Sequence, residues 1–345
     1  MSVKICSIQP DDLSKLSQFL ITGFNAKPGA EFAKLDVLAW KYLDPVGEAD
    51  YSRCFVAVDA GQIVACIGLS KTRLVVNPPP RLIAASHGFD WLSANRDIAT
   101  GLMVSQRADQ CADIQLGIGG TAKAVKIRER SGFTIAPSVP EYCRIIRPRY
   151  FFQSPGPVAT WKGLAKIARE YGRWLQHPRQ KPGAPIELRR VESFGDEVTQ
   201  IVNACQMPEV HTLRTPELLN HFLRYPRKNI TGWHILQNGR VRGFALLSVV
   251  HDENFRTGKI ADCFLDCLDV ELWHAALHAL TNQLREQTAD LVVCYGTTPW
   301  MADALTRNGF YCQRLLPFAV RDPKKLLPEN ASFYLTHLEA DHAYL

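Results

Sequence analysis

The sequence has no Cys-x-x-Cys pair, no Walker loop, no Ser-His-Asp elbow and no dinucleotide-binding glycine fingerprint. Its ten cysteines stand at irregular spacings. Cys263 and Cys267 are the closest two, and neither a Cys nor a His pair lies nearby to complete a zinc site. Reduced, mostly buried thiols, a cytoplasmic location and the absence of a metal are therefore expected. No apolar run approaches the ~18 residues of a membrane span, and Met1 to Leu16 lacks the apolar stretch of a signal peptide. Charged residues make up 21% and hydrophobic ones 46%, a globular balance without a disorder signature. Fibrous, secreted, membrane-spanning and zinc-ribbon classes are thereby set aside. At ~100–200 residues per domain, the 345 residues favour two domains.

The net charge of +6 is concentrated in one place. Between Arg144 and Arg190 there are eleven Lys or Arg against two acids, Glu170 and Glu187, whereas the rest of the chain has 29 basic and 32 acidic residues. Proline and glycine cluster there too, in Ser154-Pro-Gly-Pro157 and between His177 and Pro185. A basic linker dividing the chain near its midpoint is the reading. Within it, Trp161, Leu164, Ile167, Ala168, Tyr171, Trp174 and Leu175 recur at helical spacing, with Lys162, Lys166, Arg169 and Arg173 between them. That pattern predicts a connecting helix, with residues 160–176 able to contact an anionic surface, either RNA or lipid headgroups.

On either side of the linker the chain repeats itself. Val56 to Leu69 and His234 to Leu247 both read as β-hairpins, turning at Gly61 and at Asn238-Gly239, 178 residues apart. Asp113-Ile-Gln-Leu-Gly and Asp290-Leu-Val-Val-Cys are offset by 177, and so are the pairs Gly132-Phe133 and Gly309-Phe310 that end short helical stretches. Leu38 to Pro45 has its counterpart in Leu219 to Pro226. Four matches in order indicate two copies of one α/β (α+β) unit. Each copy has a mixed, mostly antiparallel sheet flanked by helices. The expected boundaries are 1–150, a linker at 151–185, and 186–345.

With this element order, a helix ending in Gly-Phe, and Arg96-x-x-Ala99-x-Gly101 between a strand and an amphipathic helix, the chain resembles a tandem of Gcn5-related N-acetyltransferase (GNAT) folds. In that family such a loop binds the pyrophosphate of acyl-CoA; here Ala99 stands where the family has its first glycine. The physics of the loop agrees, since small residues and a helix N-terminus bring backbone N–H groups to a diphosphate. The resemblance thus implies acetyl-CoA or another acyl-CoA, held by Trp91, Leu92, Arg96, Ile98, Ala99, Thr100, Gly101 and Leu102. The corresponding stretch of the second copy, Leu265 to Trp273, has no glycine and carries Asp266, Asp269 and Glu271. Its cofactor site is expected to be dead.

For the chemistry, the resemblance implies a carboxylate on the fourth strand and a tyrosine four residues before the Gly-Phe glycine. The tyrosine is replaced by Arg128 in the first copy and by Leu305 in the second. His87, which titrates near neutrality, and Asp90 are the candidate catalytic residues. Glu141, Tyr142 and the Trp40-Lys-Tyr42 run are further candidates for the cleft wall. The expectation is an N-acyltransferase acting on a small-molecule or lipid-linked sugar acceptor, without DNA as a partner. Two other classes remain open: a Fem-type aminoacyl transferase fed by aminoacyl-tRNA, and a non-catalytic acyl-CoA-binding protein.

Overall fold

The structure, a computed structural model, describes residues 3–44, 52–94, 98–147, 150, 161–176, 179–251, 254–339 and 341–344. The first half runs β1 (Lys4–Ser7), α1 (Leu13–Gly23), α2 (Leu35–Tyr42), β2 (Cys54–Asp59), β3 (Gln62–Val76), β4 (Arg81–Ser93), α3 (Ile98–Ala108), β5 (Ile114–Ile118), α4 (Ala122–Arg130) and β6 (Thr134–Ile145). After α5 (Trp161–Gln176), the second half repeats this order. Its elements are β7 (Glu187–Val191), α6 (Glu197–Ala204), α7 (Pro216–Leu223), β9 (Ile230–Gln237), β10 (Arg240–His251), β11 (Arg256–Leu265), α8 (Val270–Glu286), β12 (Leu291–Tyr295), α9 (Pro299–Arg307) and β13 (Tyr311–Arg321). Two short strands have no counterpart in the first half, β8 (Val210–Thr212) and β14 (Phe333–Tyr334).

Local chemistry accounts for the element boundaries. Thr121, Thr215 and Thr298 cap α4, α7 and α9 by accepting the amide of the residue three positions on. Gly132 and Gly309 take left-handed φ of +85° and +79°, and the amides of Phe133 and Phe310 reach back to Arg128 and Leu305 to close the helix ends. The hairpin turns at Ala60-Gly61 and Asn238-Gly239 have positive φ at both residues, matching the twist of the paired strands. β4 continues through Ser93, so Asp90, Trp91 and Leu92 are strand residues, and α3 begins at Ile98, with Gly101 in its first turn.

Among the described residues the fourteen strands form one sheet, ordered β1-β2-β3-β4-β5-β13-β6-β12-β11-β10-β9-β7 along its main path. The halves exchange their final strands. β13, from the second half, pairs with β5 (Phe318 opposite Ile118), while β6, from the first, pairs with β12 (Ile145 opposite Leu291). β6 and β13 then pair with each other at the centre of the molecule. A second link crosses through β8, which pairs with β3 on one side and β14 on the other.

Helices α1 and α2 cover one face of the first half, where Leu16, Leu20, Leu38 and Val56 are buried. Helix α3 covers the other face, burying Val104 and Ala108 against Ala65 and Ile67. α5 lays Ile167 against Cys143, Ile145 and Tyr311 of the exchanged strands and Leu291 and Val293 of β12.

Candidate active site

Strands β4 and β5 are parallel neighbours only at Ala85–His87 and Ile114–Leu116. Beyond that point they diverge, and a cleft of about 670 Å³ opens between them. A bulge in β4 shapes its wall. Phe89 pairs with Gly68 and Leu92 with Cys66, so Asp90 and Trp91 together face one residue of β3, and Asp90 takes the left-handed φ of +48°. The bulge aims the Asp90 carboxylate at α2. Lys41 Nζ lies 2.5 Å from Asp90 Oδ2, and the Tyr42 hydroxyl donates to the same oxygen at 2.5 Å. Asp341 is 3.7 Å from the same ammonium, which also sits over the Phe89 ring. Burial opposes the Lys41 charge, but Asp90, Tyr344 and Asp341 outweigh it and hold the ammonium protonated.

Of the residues expected to hold a cofactor, Trp91, Leu92 and Gly101 line the cleft. The Trp91 indole donates to the Gly101 carbonyl at 2.9 Å, tying β4 to the first turn of α3. Thr100 is buried, Ala99 is exposed, and neither they nor Leu102 form part of the cleft wall. Arg96 and the Ile98 side chain lie outside the described residues.

Asp90 lies in the wall of the cleft, but as the ion-pair partner of Lys41. His87 is a correction. Its ring is buried away from the cleft, both nitrogens lack a hydrogen-bond partner, and burial with Arg214 nearby pushes its pKa down to about 3. Such an imidazole stays neutral and has no path to a substrate in the cleft.

Trp40 and Glu141 are engaged away from the cleft wall. Trp40 stacks on His221 at 4.5 Å and donates to its carbonyl. Glu141 binds the Arg314 guanidinium through both oxygens, at 2.5 and 3.0 Å. Burial raises the Glu141 pKa, but His337 and Arg314 outweigh this and hold it at about 2.

The opposite wall comes from the turn after β5. Gly119 and Gly120 have φ of +74° and +101°, which swings the chain into α4 and places Thr121, Lys123 and Ile127 along the cleft. Arg128 replaces the expected tyrosine. It donates to the Gly119 carbonyl at 2.9 Å and lies so close over Gly117 that a β-carbon there would come within 2.8 Å of its guanidinium. Nothing in the local sequence around this cleft points to its third wall, the chain's last residues. Asp341 and His342 enter it from the second half. The Tyr295 hydroxyl and His342 Nδ1 are 2.5 Å apart, and Asp341 Oδ1 is 3.9 Å from His342 Nε2. Burial lowers the His342 pKa below the usual imidazole range, with Lys259 adding to the effect and Asp341 opposing it.

This terminal segment is anchored deep in the second half. Arg214 is fully buried and donates to Asp262, to Thr336 and to the Thr212 carbonyl, and it pairs with Glu339 at 3.0 Å. Lys259 donates to the His342 carbonyl at 2.7 Å.

The equivalent gap between β11 and β12 is filled. Trp273 occupies the fourth position of α8, as Gly101 does in α3, and its ring packs on Trp300 at 4.7 Å and Tyr334 at 6.1 Å. The three acids noted there are engaged: Asp266 with Arg242, Asp269 as the cap of α8, and Glu271 with Arg307. Among the described residues no group of three or more His, Cys, Asp or Glu side chains is placed to hold a metal ion.

No family model and no curated protein matches this chain by sequence. Solved structures do match its fold. A GCN5-related N-acetyltransferase from Anabaena variabilis ATCC 29413 superposes with a TM-score of 0.61 at 10% identity, over 92% of this chain and 72% of that one. N-myristoyltransferase of Saccharomyces cerevisiae, solved with bound myristoyl-CoA, gives 0.60 at 13% identity, over 97% and 84%. A putative acetyltransferase from Pyrococcus horikoshii gives 0.57 at 10%, over 98% and 95%. The chain thus has the tandem GNAT fold, with a mixed, mostly antiparallel sheet flanked by helices.

Proposed function

We propose that this protein is an acyltransferase that binds acyl-CoA in the cleft of its first half and transfers the acyl group to an amine or hydroxyl. The observation that carries the reading is the divergence of β4 and β5 beside the N-terminal turn of α3. The fold that contains this opening is shared with an N-acetyltransferase and with an N-myristoyltransferase solved with myristoyl-CoA bound. The residues present suit such a ligand. The cleft lies within the ~300–1,000 Å³ of small-molecule sites. The positive end of α3, Lys123 and Arg128 supply positive potential for phosphate, while Phe24, Phe89, Trp91 and Ile127 supply an apolar lining for pantetheine and acyl carbons.

His342 is the proposed general base. Held neutral by burial, it lines the cleft. When Nδ1–H donates to the Tyr295 oxygen, Nε2 keeps its lone pair for the acceptor's proton, and Asp341 then stabilises the imidazolium. Arg128 supplies charge to a departing thiolate, not a proton, because a guanidinium does not deprotonate in the working range. Acetyl is the first acyl group to test, and the acceptor proposed is a small molecule or lipid-linked sugar. α5 is proposed to meet an anionic surface.

Calorimetry with a panel from acetyl-CoA to myristoyl-CoA tests the reading. One molecule should bind per chain. A β-carbon at Gly101 meets only ordinary contacts, the nearest 3.5 Å away, so Gly101→Ala should bind nearly as well. Gly101→Glu places a negative charge in the cleft and should abolish binding. Equal affinity in wild type and Gly101→Glu, or two molecules per chain, would overturn the assignment.

A further inference from the structure

Far from the cleft, at the other end of the central strands, four basic side chains come together without an acid. Arg144 lies near the end of β6, eight residues beyond Ala136 at the level of the cleft, or roughly 26 Å along an extended strand. It is a cross-strand neighbour of Val292 and shares the sheet face packed by α8. From α8 come His278 and Arg285, two turns apart on one side of the helix. Arg179 arrives from the chain that follows α5. Arg147 lies beside these four, donating to the Arg285 carbonyl at 3.3 Å.

Arg144 Nη1, Arg179 Nε and His278 Nδ1 are buried with no hydrogen-bond partner. Among the described residues no carboxylate pairs with Arg144, Arg179 or Arg285. The carbonyl end of α8 offsets part of the Arg285 charge, which stands in its last turn. Their mutual repulsion is visible at Arg144, whose pKa is pushed down to about 9 by burial, by Arg179 and by Arg285. His278 is lowered as well, by burial and by Arg179 and Arg144.

Buried N–H groups of a guanidinium cost free energy when nothing accepts from them, and crowded like charges add to that cost. The chain forms many ion pairs elsewhere, so the lack of one here is specific to this place. Arginine forks match tetrahedral oxyanions in bidentate geometry better than any other side chain does.

We infer that Arg144, Arg179, Arg285 and His278 form a binding site for a phosphate group, separate from the acyl-CoA cleft. The phosphate belongs either to a soluble phosphorylated molecule or to a lipid headgroup. Both offer the same oxyanion to the same four side chains.

The test uses the full chain in phosphate-free buffer at fixed ionic strength, with chloride as the control anion. The thermal midpoint should rise as inorganic phosphate or pyrophosphate is added. Arg144→Gln should raise the midpoint without phosphate, by relieving repulsion, and should remove the response to phosphate. Arg285→Gln, at an exposed position, gives the same reading should Arg144→Gln fail to fold. Gly101→Glu should keep the response, since it alters only the cleft. Vesicles containing phosphatidic acid separate the two sources: binding to them that requires Arg144 assigns a headgroup, whereas binding only of soluble phosphate assigns a free ligand. A midpoint indifferent to phosphate, pyrophosphate and phosphatidic acid would overturn the proposal. So would a response that survives Arg144→Gln and Arg285→Gln but disappears in Gly101→Glu.

Discussion

His342 and Lys41 show how single side chains acquire their character from surroundings that their sequence neighbours do not reveal. As the base, His342 must be neutral, and burial sets its pKa below the ordinary 6.5. The rate in kcat/KM should therefore climb with pH through a value below 6.5 and be level by neutrality. His342→Gln should lower kcat and erase that limb, and an unchanged acid limb in the variant would remove His342 from the mechanism. Lys41 is 1% exposed and its partner Asp90 7%. Lys41→Met strands that carboxylate with only the Tyr42 hydroxyl, at a cost of about 3–5 kcal/mol, which a shifted denaturant midpoint will report. The sequence points to Gly101 because small residues before a helical pattern are a local signal, and to Trp91 only through the family resemblance. It misleads at His87, because an imidazole's near-neutral titration holds only in water, and here burial and the approach of Arg214 from the second half remove it. Asp341 and His342 are out of reach of any local pattern; more than 200 residues separate them from the strands whose cleft they complete.

Among the elements, α5 leaves the most apolar surface in water. Ile167 docks on the exchanged strands, but Leu164, Tyr171 and Leu175 are 60%, 47% and 58% exposed and fall on one stripe of the helix. The same stretch of sequence carries Lys162, Lys166, Arg169 and Arg173. The helical spacing is legible in the sequence; which apolar residues stay uncovered is not, since that depends on where the helix docks. An apolar stripe on a helix whose sequence is rich in cations fits an anionic bilayer surface. Sedimentation with phosphatidylserine vesicles should bring down the wild-type protein, less so at high salt, and Leu164→Asp with Leu175→Asp should prevent it. Pelleting of the double variant to the wild-type extent would show that the stripe is not what binds.

At the scale of the molecule, the repeat at an offset of 177–178 residues makes two copies of one fold visible in the sequence. The exchange of β6 and β13 stays hidden, because the same alternation of side chains satisfies either partner. Its effect is that each half completes its sheet with the other's strand. A fragment ending before α5 should leave the edge of β5 unpaired and associate or precipitate alone, whereas co-expression with 186–345 should recover a soluble 1:1 complex by size-exclusion chromatography. Two independently soluble monomers would argue against this dependence. On the ribosome the same feature imposes an order of events. The first half emerges with the edge of β5 unpaired, and it must wait through the synthesis of most of the second half before β13, at residues 311–321, arrives to pair with it. Asp341 and His342 come later still, so the last wall of the cleft is in place only after both halves have been made.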